Sequence, residues 1–370
     1  MVSRRIKRFR SDARFDEPLF IACVIALVAG LIMIYSTSSI LADSRFGSHF
    51  YFLWHQLVWA VLSLTALVVI SKIDLGKLSV YSPLALLLTL VLLGLVFLMP
   101  ARNSAHRWLE LGPLTVQPSE LFKFVMIFFL AFSLTQKRQD ITDARQLLRR
   151  YAPLLGTGLA LILLEPHLGN TIVVLLTAGG MFFLAGMRIK HILLSVMPVM
   201  GTAAFVVFVL GYKKARVFDY IASLVDPLQG SYQAKQAALT LGAGGIFGMG
   251  LGEGRQKLFF LPYPHTDFIF AAMGEEIGLI GLLFVLSCLF FILWRGLKIA
   301  AAQPDRYGYL LASGITLSLF INIALHIGVA TCLLPVMGLA LPFFSYGGSS
   351  LLISSAAVGV LLNLSKRIER

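Results

Sequence analysis

PLFIACVIALVAGLIMIYSTSSILA, residues 18–42, carries no charged side chain and is longer than the roughly 20 apolar residues a helix needs to cross the hydrocarbon layer. A run of this kind places the fold in lipid. Working outward, further apolar runs lie near 50–71, 79–99, 118–135, 152–164, 171–186, 192–211, 268–294, 308–331 and 343–363. The spacing predicts an all-α polytopic integral membrane protein of about ten transmembrane helices. The run at 152–164 is short and meets Glu165-Pro166-His167, which predicts a broken span or one capped by a turn at its outer end. Of 370 residues, 58% are hydrophobic and 13% charged, a balance that excludes a soluble enzyme.

Lys and Arg total 31 against 18 Asp and Glu, a formal +13, which in a soluble chain would point to nucleic acid. Here the cations follow topology instead. Arg4, Arg5, Lys7, Arg8, Lys72, Lys137, Arg188, Arg295 and Lys366 fall on one side of the alternating spans. Short loops of the other side hold only Arg45, Arg102 and Arg107. The positive-inside rule then predicts both termini inside and an even number of spans, with no nucleic-acid partner. The first apolar run is too long for the core of a secretory signal and reads as a retained anchor. The expectation is a single membrane domain over 1–370, with a basic cytoplasmic tail at 1–17, a large extracytoplasmic loop at 212–267, and no soluble domain before or after the spans. Cys23, Cys288 and Cys332 lie within apolar runs, which points to neither a disulfide framework nor a zinc site.

The 212–267 loop is the one outer segment large enough to hold a site. Its start, 213–225, has the spacing of an amphipathic helix lying on the bilayer surface, and Ser231 to Leu241 reads as a short helix after the Asp226-Pro227 break. The glycines from Gly242 to Gly254 lack the register of a nucleotide loop and read as flexible turns that let backbone re-enter the membrane edge. Pro262 and Pro264 then hold the approach to His265-Thr266-Asp267. Asp267 has two readings, an N-cap of the next span or a carboxylate placed to accept a proton. Glu275 and Glu276, two turns or more further along, are costly at that depth and must face protein or water. Glu120 and Lys123 stand one turn apart, as a structural ion pair or as part of a site. Trp54, Trp59 and Trp108 suit an interfacial aromatic belt, while Arg107 suits a phosphate head group. Asn322 and His326 suit hydrogen bonds between helices, and Ser345-Tyr346-Gly347-Gly348-Ser349-Ser350 suits close helix packing first and an anion site second.

Together these residues predict an outward-facing polar crevice for an anionic, lipid-linked substrate. A transferase drawing on an activated lipid carrier and a flippase moving such a lipid both fit, whereas a scaffold explains the spans but not the polar interior. With a diphosphate already a good leaving group, one carboxylate base would be enough, unlike the pair usual in glycoside hydrolysis.

Three blocks add a resemblance. His106 to Lys123 (with RWLELG and QPSELFK), Asp226 to Gly281 (with DPLQGSYQ and LPYPHTDFIFAAMGEEIGLIG) and Leu334 to Leu351 (LPVMGLALPFFSYGGSSL) resemble the SEDS family, named for shape, elongation, division and sporulation. YSTSS at Tyr35 to Ser39 and the LALPFFSYGGSS string resemble its division branch (FtsW-type) more than its elongation branch (RodA-type). The resemblance implies a peptidoglycan glycosyltransferase that joins lipid II into glycan strands for septal wall synthesis. The work would be done at the outer face of the bacterial cytoplasmic (inner) membrane, with release of undecaprenyl diphosphate. It implies that Asp267 deprotonates the acceptor hydroxyl, and that Arg107, Trp108, Glu120 and Lys123 surround the cavity, with Arg107 and Lys123 at the diphosphate. His265, Ser345 and Tyr346 join the substrate-binding set from the matching blocks, and the acidic pair Glu275 and Glu276 either supports the cavity or binds a cation. No organic cofactor is implied, and a divalent cation is left open. The implied partners are a class B penicillin-binding protein transpeptidase and other membrane proteins of the division machinery. The alternatives are a lipid II flippase or the same polymerase serving elongation. The chain departs from the family's Gln-Pro-Asp-Leu-Gly-Thr at Glu165-Pro166-His167-Leu168-Gly169-Asn170, which moves acid and base by two positions.

Overall fold

The computed structural model describes residues 15–100, 106–112, 114–136, 144–194, 197, 201, 218–222, 226, 230–255 and 260–368. The first apolar run becomes α1, Glu17–Phe46. Asp16 caps it by accepting from the Leu19 N–H at 3.0 Å, Pro18 sits in its first turn, and Gly47 ends it in the left-handed conformation. It is followed by α2 (Tyr51–Ile70), α3 (Leu75–Val80) and α4 (Ser82–Leu95, prolonged by a 3-10 turn at Val96–Leu98). Next come α5 (Pro118–Thr135), α6 (Ala144–Leu164), α7 (Leu168–Leu184), α8 (Tyr232–Ala243), α9 (Ile269–Ala301), α10 (Arg306–Ala330) and α11 (Gly348–Ser365). Among the described residues, α1, α2, α5, α9, α10 and α11 are long and apolar enough to cross a membrane, and α4 and α7 are shorter apolar helices. Every expected run thus coincides with a helix except 192–211, which lies largely outside the described residues, as do most of the basic tail and most of the surface helix expected at 213–225.

The outer faces are what lipid requires. Ile21, Ile25, Val28 and Ile32 form an exposed stripe along α1, and Trp54, Val58 and Val61 continue one along α2. The chain is a multi-pass integral membrane protein. Inside, small residues let helices approach closely. A methyl group on Gly348 would overlap the Trp59 indole, and one on Gly359 would meet the Leu67 backbone, so α2 and α11 touch along their lengths. Trp59 is therefore a packed core residue and not a belt tryptophan. Trp54, 64% exposed, keeps the outward position.

At one end of the bundle Arg295 pairs with Asp16, Asn363 donates to the Ile70 and Ile73 carbonyls, and Lys366 donates to the Ser71 carbonyl at 2.9 Å. At the other end lie the turn between α6 and α7, the 260–268 loop, the 331–347 segment and a two-stranded hairpin. That hairpin, β1 (Leu109–Leu111) against β2 (Leu114–Val116), is an addition to the all-α expectation. Its alternation about a turn at Gly112, which takes a positive φ of 65°, is a short strand signal that the surrounding spans overshadow. Ser349 at the start of α11 fastens it, accepting from the Gln117 N–H and donating to the Thr115 carbonyl.

The glycine run is not a set of flexible turns. Helix α9 is interrupted at Gly278 (φ 63°, ψ −171°), so Leu279 and Ile280 cannot donate back to the Glu275 and Glu276 carbonyls as in an unbroken helix. The loop supplies both sides of the missing ladder. The Met249 and Gly250 N–H groups donate to the Glu275 and Glu276 carbonyls at 2.9 and 3.0 Å, and Leu279 and Ile280 donate to the Gly245 and Ile246 carbonyls. Backbone left unpaired in lipid costs several kcal/mol per group, which is why a break at this place needs a fixed partner. Glycine is required because a Cβ at Gly244 or Gly248 would run into the Gly274 or Glu276 carbonyl.

Candidate active site

The elements at the non-basic end enclose a polar cavity of about 510 Å³. Such a volume suits a substantial ligand. Its walls come from separate stretches of chain. The hairpin approach gives Arg107 and Trp108, the start of α5 gives Gln117 and Glu120, the α6–α7 turn gives Pro166 and His167, and the 263–267 loop gives His265 and Asp267. Gly338, Tyr346 and Ser350 close the side formed by the 331–347 segment and α11, and Gln233 reaches in from α8.

Asp267 does not cap α9. That helix begins at Ile269 with Phe268 at its N-cap position and no side-chain capping bond. The loop carrying Asp267 is bent by Tyr263, whose φ of 54° is left-handed, and it is sewn to the segment before α11. The Tyr346 N–H donates to the His265 carbonyl at 2.8 Å, and Ser345 Oγ donates to the Thr266 carbonyl at 2.8 Å while accepting from the Leu341 N–H. The rings of Phe52, His265 and Tyr346 pack together beside it. Burial pushes the Asp267 carboxyl up to about 6, against a smaller opposing pull from Arg107. Burial, with Arg45 adding to it, pushes His265 down to about 4, so that imidazole is neutral.

Arg107 is held from behind. Its Nε donates to the Glu165 carbonyl at 3.0 Å and its Nη2 to the Pro166 carbonyl at 2.6 Å. A methyl group at Gly338 would lie 3.6 Å from Asp267 Oδ2 and 3.9 Å from Arg107 Nη1, so acid and guanidinium border the same point. Gly338 has a positive φ of 69° and leaves that point open.

Of the residues singled out in the sequence, Arg107, Trp108, Glu120, His265, Asp267 and Tyr346 border the cavity together. Lys123 stands behind Glu120, bonded to Glu120 Oε1 at 2.8 Å and to Asn170 Oδ1 at 3.0 Å, and all three are buried. It lines a smaller pocket under the cavity with Asn322, and Glu120 borders both spaces. Ser345 is the stitch described above. Glu275 and Glu276 are buried under the glycine loop, where Glu275 Oε1 accepts from the Arg255 N–H at 2.7 Å and Glu276 accepts from Ser36. His326 bonds the Leu339 carbonyl beside Gly338, in the segment between α10 and α11 and not on another helix as expected. Among the described residues, no three His, Cys, Asp or Glu side chains gather as a metal cluster. Among the cavity residues that sequence reasoning passed over are Gln117, Gln233 and Gly338. Gly338, midway between Pro335 and Pro342, left the one legible signal.

Residues 17–370 match the profile of the FtsW/RodA/SpoVE family, described as cell cycle protein. Stage V sporulation protein E of Bacillus subtilis is 41% identical over 360 residues, covering 95% of this chain and 97% of that protein. A probable peptidoglycan glycosyltransferase FtsW of Geobacter metallireducens is 39% identical, covering 96% of each. Among solved structures, rod shape determining protein RodA of Thermus thermophilus is 26% identical with a TM-score of 0.71, covering 96% of this chain and 98% of that one. A chain in a structure described as structural coordination of polymerization and crosslinking by a peptidoglycan synthase complex is 27% identical with a TM-score of 0.78, covering 95% and 97%.

Proposed function

The chain belongs to the FtsW/RodA/SpoVE family of cell cycle proteins, and on that footing we propose that it is a peptidoglycan glycosyltransferase serving cell division, with Asp267 as its catalytic base. The substrate we assign is lipid II, taken from the outer leaflet of the bacterial cytoplasmic membrane. In the reaction an acceptor sugar hydroxyl attacks the anomeric carbon of the donor. The new glycosidic C–O bond forms, the bond from that carbon to the diphosphate oxygen breaks, the hydroxyl proton passes to the Asp267 carboxylate, and the diphosphate leaves with the bonding pair. Arg107, facing the same point as Asp267, meets the charge on the leaving diphosphate.

One observation carries the assignment of the base. Asp267 borders the cavity opposite a guanidinium and is not spent on the end of α9. A carboxyl held near 6 is a stronger base than an ordinary aspartate yet is still ionised at neutral pH, which is where a general base is most effective. Asp267→Asn preserves size and removes basicity, so polymer formation from labelled lipid II is expected to fall by about 10²–10⁴ while the thermal midpoint stays put. Polymerisation by the Asn variant at the wild-type rate refutes the assignment. The similar chain sits in a complex described as coordinating polymerization with crosslinking, which supports a crosslinking partner, assigned here as a class B penicillin-binding protein.

A further inference from the structure

Glu165 opens the short connection between α6 and α7, and the mechanism above makes no use of it. Its carboxyl is fully buried, and among the described residues neither oxygen has a hydrogen-bond partner. A carboxylate in that position would have given up water and gained no donor, so the neutral acid is the form the site accepts. Arg107, the nearest cation, does not relieve it by hydrogen bonding. The guanidinium spends Nε and Nη2 on the backbone carbonyls of Glu165 and Pro166 and keeps its Nη1 side toward Gly338 and Asp267.

We propose that Glu165 is the positioning residue for Arg107: as a neutral acid it leaves the guanidinium's charge to the cavity, and on losing its proton it draws that charge back toward the α6–α7 turn. The proposal rests on the reading in which Arg107 meets the diphosphate. The titratable and charged groups around the turn are Arg107 before β1, His167 at the start of α7, the Glu120–Lys123 pair on α5, and Asp267 beyond Arg107. Burial first, then Arg107 and Lys123, hold His167 down to about 3, so it stays neutral throughout. Burial pushes Glu165 up to about 8, moderated by Arg107, which places the loss of its proton on the alkaline side of neutrality. Ionised Glu165 and an anionic substrate then compete for one cation, and affinity for the diphosphate falls as pH rises.

The full chain in detergent is titrated with undecaprenyl diphosphate at about pH 7 and about pH 9, as wild type and as Glu165→Gln. Wild type is expected to lose about tenfold in affinity across that interval, the equivalent of one weakened charge contact, while Glu165→Gln changes less than about twofold. Ionisation of the diphosphate is common to both proteins and cancels. Infrared difference spectra should show a buried carboxylic acid C=O band at pH 7 in wild type, absent from Glu165→Gln and lost by pH 9. Equal losses of affinity in both proteins, no loss in wild type, or no acid band at pH 7 overturns the proposal. Failure of the glycosyltransferase reading is seen separately, because it appears as absence of polymer from lipid II and leaves the affinity comparison readable.

Discussion

Gly338 shows how little chemistry a site residue needs. Its contribution is an absence, since the positive φ admits a backbone turn between Asp267 and Arg107 and the missing side chain leaves room for what they act on. Gly338→Ala is expected to cost about 1–2 kcal/mol in stability from the left-handed conformation alone and to lower kcat/KM for polymerisation by a larger factor than that cost explains. Equal kcat/KM in the two proteins would remove Gly338 from the site. As the proposed base, Asp267 is expected to set the acid limb of the pH dependence. The base must be ionised, so activity is expected to rise through a midpoint near pH 6 and level off above it, whereas an ordinary aspartate at 3.8 would put the limb far lower. A rate profile measured from pH 4.5 to 7.5 tests this. Asp267 was legible because an acid between a proline-stiffened loop and an apolar span has few readings. Capping was excluded only once the helix was seen to begin beyond it.

Helix α5 joins two spaces through one ion pair. Lys123 neutralises Glu120 and donates to Asn170, whose Nδ2 in turn donates to Ser119 and whose N–H donates to His167 Nδ1. Lys123→Met leaves a buried carboxylate without its partner and is expected to cost about 3–5 kcal/mol, with most of it restored by adding Glu120→Gln. Thermal midpoints of the single and double variants measure it, and additivity would mean the pair does not act as a unit. The i, i+3 spacing made this pair readable, but not the third member, since Asn170 comes from α7 and reaches it only through packing. In the glycine loop against α9, Gly248→Ala pushes a methyl group into the Glu276 carbonyl and is expected to destabilise the fold by about 1–3 kcal/mol, whereas Gly252→Ala meets open space and is strained only by its positive φ.

For the molecule as a whole, a group of helix-end cations lies at the opposite end of the bundle from the cavity. Arg295, Arg306, Lys366 and Arg367 stand at the ends of the helices away from Asp267, the arrangement expected if the cavity opens to the outside and the basic end faces the cytoplasm. The native thiols suit a labelling test, because Cys23 and Cys332 are buried and Cys288 is only partly exposed on a span. In intact cells a membrane-impermeant maleimide is expected to label Ser48→Cys, between α1 and α2, and to leave Gly186→Cys, after α7, unlabelled until the membrane is opened. The reverse pattern would invert the topology.

The linear chain by itself determined the solvent. Runs of uncharged residues longer than a bilayer is thick have one stable environment, and the asymmetry of Lys and Arg gives them an expected orientation, so the helices were readable without any contact between distant residues. Only the tertiary structure decided which polar residues meet. Glu275, Glu276 and Ser345 look like site residues in sequence, yet Glu275 and Ser345 bond backbone and Glu276 bonds Ser36, while Gln233 looks unremarkable and borders the cavity. The reason is that lipid imposes no direction on a buried polar group. Each must find a partner inside the protein, and helix packing alone fixes which partner is within reach.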